Sequence, residues 1–149
     1  MHGAGNDFVV IDAVRAAVKI NEDQIRKIAD RQTGVGCDQV LLIEPTKRPD
    51  ADFEYRIFNA DGSAAGQCGN GARCVGRFIH EQRLSAKSTI TLQVGSDLRR
   101  LEFDETGSVK AELGAPIFAP AQIPFATDED ATEHALTHVE LPQLQPHRN

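Results

Sequence analysis

The chain has 149 residues, enough for one ordinary domain with a real core. Sixteen basic against 22 acidic residues leave a net charge of −6, which argues against nucleic acid or an anionic membrane as the main partner. No apolar run approaches the roughly 20 residues of a spanning helix, and the opening Met1-His2-Gly3-Ala4-Gly5 lacks the pattern of a signal peptide; a cytoplasmic chain is expected.

The predicted elements begin with Phe8-Val9-Val10-Ile11, an apolar, β-branched run that reads as a buried strand. Asn21-Glu22-Asp23-Gln24 opens a helix. Asn21 suits an N-cap and Gln24 stands where a capping box wants Glu or Gln. Ile25, Ile28 and Ala29 share one face, and Gly34 is the expected C-cap. Val40 to Ile43 forms the next strand, ended by Pro45. Phe53, Tyr55 and Ile57 then alternate with Glu54, Arg56 and Phe58, which predicts a strand with a buried face. Asn59-Ala60-Asp61-Gly62-Ser63 has turn chemistry.

From Gly71 to Leu84 the period becomes helical. Cys74, Val75, Phe78 and Ile79 share a face, while Arg73, Arg77, Glu81 and Arg83 fall elsewhere. Strands are expected over 89–94, 98–103 and 109–113, the last two forming a hairpin around Asp104-Glu105-Thr106-Gly107. The class is therefore α+β, with more strand than helix. Beyond Gly114 the texture changes to five prolines between Pro116 and Pro146 and an acidic cluster at Asp128-Glu129-Asp130. Residues 1–114 read as one domain, and 115–149 as a connector and the start of an incomplete second domain.

The three cysteines, Cys37, Cys68 and Cys74, are too few and wrongly spaced for a disulfide scaffold or a zinc site, so they are read as free thiols with no metal. Cys68 lies between Gly66 and Gly69-Asn70-Gly71, just before a helix. The first turn of a helix offers unpaired N–H groups and partial positive charge. Such a place binds a carboxylate and favours a thiolate over a thiol. Glycines let a ligand reach the backbone. Together these features suit a small carboxylic acid with the sulfur aimed at its α-carbon. Burial as a small core residue is the plainer reading for Cys74, and turn packing for Cys37. Asn6, Gln39, Asn59 and Asn70 all lie in or beside glycine-rich turns. Amides both donate and accept, which fits a ligand carrying ammonium and carboxylate groups; each taken alone is as well explained by shaping its own turn.

The sequence closely resembles the diaminopimelate epimerase family through most of its first 114 residues. The resemblance is carried by His2-Gly3-Ala4-Gly5-Asn6-Asp7-Phe8, by Ala29-Asp30-Arg31 with Gly34-Val35-Gly36-Cys37-Asp38-Gln39, and by Asn59 through Arg73. It implies interconversion of LL- and meso-diaminopimelate for lysine and peptidoglycan-precursor synthesis, by two cysteines on opposite faces of the α-carbon, without metal or pyridoxal phosphate. By motif position Cys68 is one of that pair. The resemblance also implies that backbone N–H groups of Gly69 and Asn70 hold the α-carboxylate, and that Asn6, Gln39 and Asn59 line the pocket. The implied fold is half of a two-domain arrangement, a mixed sheet wrapped around the helix that follows Cys68. No second Cys-Gly motif occurs, and Val94-Gly95-Ser96-Asp97-Leu98 departs from the usual sequence of that stretch. The chain thus reads as an amino-terminal half, or a truncated product. Its unpartnered face leads to an expectation of self-association, such as a homodimer. A non-catalytic half that still binds a small carboxylate is the competing reading. A cofactor-free isomerase of the phenazine-biosynthesis type fits less well, because that branch lacks the paired cysteines.

Overall fold

The computed structural model describes residues 1–119 and 122–123. The elements are β1 (His2–Gly3), β2 (Asn6–Asp12), α1 (Glu22–Ala29), β3 (Gln39–Glu44), β4 (Phe53–Asn59), β5 (Ala64–Ala65), α2 (Gly69–Glu81), β6 (Thr89–Val94), β7 (Asp97–Phe103) and β8 (Val109–Ala111). The strands form one mixed sheet in the order β1-β2-β3-β4-β6-β7-β8, with β5 paired to β4 off that path. The pairs β2–β3 and β4–β6 are parallel, and the others antiparallel.

The alternation of β4 decides which face is buried. Phe53, Tyr55 and Ile57 point into the main core with Leu41 and Ile43 of β3 and Ile90, Leu92 and Val94 of β6. Helix α2 fills that core with Ala72, Cys74, Val75 and Ile79, so it is the central helix that the sheet wraps. The period of 3.6 puts these residues on one stripe and Arg73, Arg77 and Glu81 on the exposed side; Arg83, also exposed, lies past the helix end at positive φ. A smaller core lies on the other face of β3, where Val40 packs with Ile25, Ala29 and Cys37.

Helix α1 starts as the sequence predicts. The Asn21 side chain accepts from the Gln24 N–H at 2.9 Å, and the Gln24 side chain accepts from the Asn21 N–H at 3.0 Å. Its end differs from the sequence reading. Asp30, not Gly34, is the C-cap, in an extended conformation, and its carboxylate accepts from the N–H groups of Gln32 and Thr33. Gly34 does a different job. The loop folds back so that the N–H groups of Val35 and Gly36 reach the Ile28 carbonyl and that of Cys37 reaches Ala29. A Cβ on Gly34 would lie 1.9 Å from the Lys27 carbonyl oxygen, so only glycine permits this return. The last carbonyls of α1 are thus satisfied by a returning loop rather than by a left-handed cap.

Two short strands escape the sequence reading. The glycine cluster at the amino terminus is a hairpin, with Ala4 and Gly5 at positive φ (50° and 94°) between β1 and β2. The other, β5, is only two residues long. Helix α2 begins at Gly69, two residues ahead of the periodic run, because Gly69, Asn70 and Gly71 carry no apolar side chain to mark it. Strand β8 stops at Ala111 rather than at Leu113.

The chain divides into two units, Met1–Gly114 and Ala115–Asn149. Most of the segment read as a connector lies outside the described residues. Among the described residues no helix is long and apolar enough to cross a membrane.

Candidate functional site

The topology brings four separate stretches to one end of the central strands. Strand β2 starts at Asn6 and the parallel strand β3 starts at Gln39; the antiparallel β4 ends at Asn59, the direct partner of Gln39. After the turn at 60–63 and strand β5, the chain reaches Cys68 and enters α2. Asn6, Gln39, Asn59, Cys68, Gly69 and Asn70 are therefore gathered by the fold, although 64 residues separate the first from the last.

Cys68 is the N-cap of α2, in an extended conformation. Its Sγ accepts the Gly71 N–H at 3.2 Å, and its carbonyl accepts the Ala72 N–H at 2.9 Å. Sulfur occupies the place that a serine or aspartate oxygen ordinarily fills. The N–H groups of Gly69 and Asn70 find no acceptor among the described residues, as expected for the first turn of a helix. Gly71 is closely packed: a Cβ there would stand 3.3 Å from Cys68 Cβ, 3.4 Å from its Sγ and 3.3 Å from Leu41. A side chain there would crowd the thiol and Leu41 by a few tenths of an ångström.

The amides interlock in two pairs. Asn70 Nδ2 donates to Asn6 Oδ1 at 2.9 Å, which joins the amino-terminal hairpin to the start of α2. Gln39 Nε2 donates to Asn59 Oδ1 at 3.0 Å, and Asn59 Nδ2 donates to Ser63 Oγ at 3.1 Å. Among the described residues this leaves Asn6 Nδ2 as a free donor and Gln39 Oε1 as a free acceptor. Sequence reasoning missed Arg73, which donates to Asn70 Oδ1 and so fixes the orientation of that amide.

It also passed over the clamp beneath the site. Arg31 donates both Nη atoms to Asp7 at 2.8 Å and one of them to Asp38 at 2.8 Å. The two aspartates also tie the strands directly: the Asp7 N–H reaches Asp38 Oδ2 at 3.0 Å, and the Asp38 N–H reaches Asp7 Oδ1 at 2.8 Å. Asp7 follows Asn6 and Asp38 precedes Gln39, so the clamp sets two of the amides. Hydrogen bonds from Arg31, then from the Asp38 backbone, hold the Asp7 carboxyl well below its ordinary 3.8. A carboxyl depressed by folding stabilises the native state above its ordinary value and loses that contribution as pH falls through the folded one. Asp7→Asn is thus expected to unfold more easily than wild type near neutrality. The gap should narrow steadily between about pH 4 and pH 2. A gap that stays constant across that range in acid-titrated thermal melts would remove Asp7 from the clamp.

The two remaining cysteines are sequestered. Cys74 and Cys37 are 4% and 3% exposed, and burial pushes both thiols up; Cys68 is partly exposed, and all three are free. Tyr55, buried beneath, is pushed up to about 12 by burial first and the nearby Cys68 second, with Arg99 opposing. Among the described residues no group of three His, Cys, Asp or Glu side chains is arranged to hold a metal ion.

A family profile described as diaminopimelate epimerase matches residues 1–119. The chain belongs to the diaminopimelate epimerase family. A relative named diaminopimelate epimerase from Aromatoleum aromaticum is 52% identical over 131 residues, covering 88% of this chain and 47% of that protein. Another of the same name from Teredinibacter turnerae is 51% identical over 136 residues, covering 91% and 49%. The chain therefore spans about half the length of these relatives. Among solved structures, a hydroxyproline epimerase from Agrobacterium vitis shares the fold with a TM-score of 0.57 at 18% identity, covering 74% of this chain and 39% of that one. A phenazine biosynthesis protein of the PhzF family from Bacillus anthracis does so at 0.52 and 20%, covering 73% and 34%. These two likenesses concern the fold alone.

Proposed function

We propose that this chain supplies one half of the active site of a cofactor-independent amino-acid epimerase that interconverts LL- and meso-diaminopimelate. The observation that carries the reading is the placement of Cys68. Its sulfur caps α2 beside two N–H groups that have no partner among the described residues, with the Asn6 donor and Gln39 acceptor, likewise unpartnered there, at the same end of the strands. In this reading Gly69 and Asn70 receive the α-carboxylate through their backbone N–H groups, at the positive end of the helix. Gln39 accepts from the substrate ammonium, and Asn6 and Asn59 line the pocket. Cys68 then moves the α-proton, as thiolate when it removes it and as thiol when it returns it. The opposite face of the carbon needs a second acid–base group from the remainder of the enzyme. The reading assigns the reaction to the cytoplasm, the reducing compartment in which three unpaired thiols persist.

The half-length match favours one alternative, a half that binds a small carboxylate without turning it over. Alkylation by iodoacetamide at neutral pH with peptide mapping tests the shared premise. Cys68 is expected to label at least tenfold faster than Cys74 or Cys37, and LL-diaminopimelate to slow the labelling of Cys68 alone. Faster labelling of Cys74 would mean that the orientation of α2 is wrong. Labelling of Cys68 unaffected by the amino acid, with the complementing half present, would sink the assigned substrate.

A further inference from the structure

We propose that Arg99 is the positioning residue of the Cys68 turn and that it acts through Gln67. The proposal rests on Cys68 as the reacting thiol, and not on the identity of its substrate. Arg99 lies in β7, and its side chain is 16% exposed. One Nη donates to the Leu98 carbonyl at 2.9 Å. The other donates to Asp97 Oδ2 at 2.8 Å and to Gln67 Oε1 at 3.1 Å. Gln67 is bonded directly to Cys68 in the chain, so a fork planted in the sheet holds the residue before the thiol. The residue after it passes close to Leu113, which follows β8: a Cβ on Gly69 would stand 3.0 Å from the Leu113 side chain, and Gln67 Nε2 donates to the Leu113 carbonyl at 3.5 Å. Cys68 thus follows a tethered residue, while its sulfur is held by the Gly71 N–H.

The Nε of Arg99 is buried and has no partner among the described residues. An unsatisfied buried donor is costly, so the side chain stays in this pose because its two Nη groups are committed to Gln67, Asp97 and Leu98. A lysine would bring the charge but a single compact head, unable to reach three acceptors in one plane. The contact therefore depends on the guanidinium fork. Without it Gln67 loses its tie to β7, and the sulfur spends less time in the capping pose, held by the Gly71 N–H, in which it reacts.

The test is the rate of Cys68 alkylation by iodoacetamide at fixed pH, on the full chain without substrate. Wild type is compared with Arg99→Met, Arg99→Lys, Gln67→Leu and the Arg99→Met/Gln67→Leu pair, with Cys37 and Cys74 as internal reporters of general opening. Arg99→Met and Gln67→Leu are each expected to slow Cys68 threefold or more, with Cys37 and Cys74 unchanged. The pair should be no slower than the slower single variant, since both remove the Arg99–Gln67 contact. Arg99→Lys should track the methionine variant. Unaltered or faster Cys68 labelling, multiplicative effects in the pair, full recovery by lysine, or a parallel rise at Cys37 and Cys74 would each overturn the proposal. Should Arg99→Met fail to fold, Gln67→Leu decides by the same threshold, because Gln67 is exposed. Failure of the diaminopimelate assignment would leave these rates untouched, so the two ideas fall separately.

Discussion

Cys68→Ser is expected to lower epimerisation by about 10²–10⁴-fold in an enzyme assembled from this chain and the carboxy-terminal half of a relative. Serine keeps the N-cap geometry, since its oxygen accepts the Gly71 N–H at least as well as sulfur does. The helix start, the free N–H groups and the amide pairs therefore remain. What disappears is the thiol, and the hydroxyl that replaces it is a far weaker acid. The loss should fall on kcat, with KM for diaminopimelate changed little. Turnover within a few-fold of wild type would remove Cys68 from the proton transfer. A KM raised with kcat intact would recast it as a binding residue.

Ile79→Ala is expected to cost about 2–5 kcal/mol of folding stability, the usual range for deleting most of a buried aliphatic side chain. Ile79 is fully buried on the stripe of α2 that packs with Val75, Leu92 and Leu101 in the main core. The helix is the axis around which the sheet curls, so a cavity there has little room to collapse. Loss of packing at the centre should also loosen the first turn of α2, and with it the Cys68 cap. Denaturant unfolding measures the cost. A change below about 1 kcal/mol would mean that α2 is not the packed centre of the domain.

Much of this was legible in the sequence, for reasons tied to particular residues. Asn21 and Gln24 announce a capping box through side-chain chemistry that needs no distant partner, and the structure shows it. Phe53, Tyr55 and Ile57 alternate because one face of β4 is buried, and period two exposes that directly. Gly34 shows where local reasoning stops. A glycine after a helix looks like a left-handed cap, but here it makes room for a returning loop, a tertiary fact. The hairpin at Gly3–Asn6 was hidden because two-residue strands carry no periodicity. Cys68 was singled out by its glycine-rich surroundings. The pairing of Asn70 with Asn6 and of Gln39 with Asn59 depends on strand order, which no spacing within the motifs records. Arg31 and Arg99 were missed for the same reason: each gains its meaning from aspartates and amides that the sheet brings to it.

The central claim is that Cys68 performs proton transfer in a site of which this chain holds one half. Incubation with LL-diaminopimelate in D₂O tests it most directly, following meso product and deuterium at the α-carbon by chiral separation and mass spectrometry. The purified chain alone is expected to yield no meso product above background, since inversion needs a second acid on the opposite face of the carbon. Half a site also forfeits much of the orientation that can supply up to about 7–11 kcal/mol. Addition of a complementing carboxy-terminal half should restore both inversion and deuterium uptake, and Cys68→Ala should abolish both. Meso product formed by the chain alone and lost in Cys68→Ala would contradict the half-site. Inversion that persists in the complemented Cys68→Ala enzyme would contradict the role of Cys68 itself.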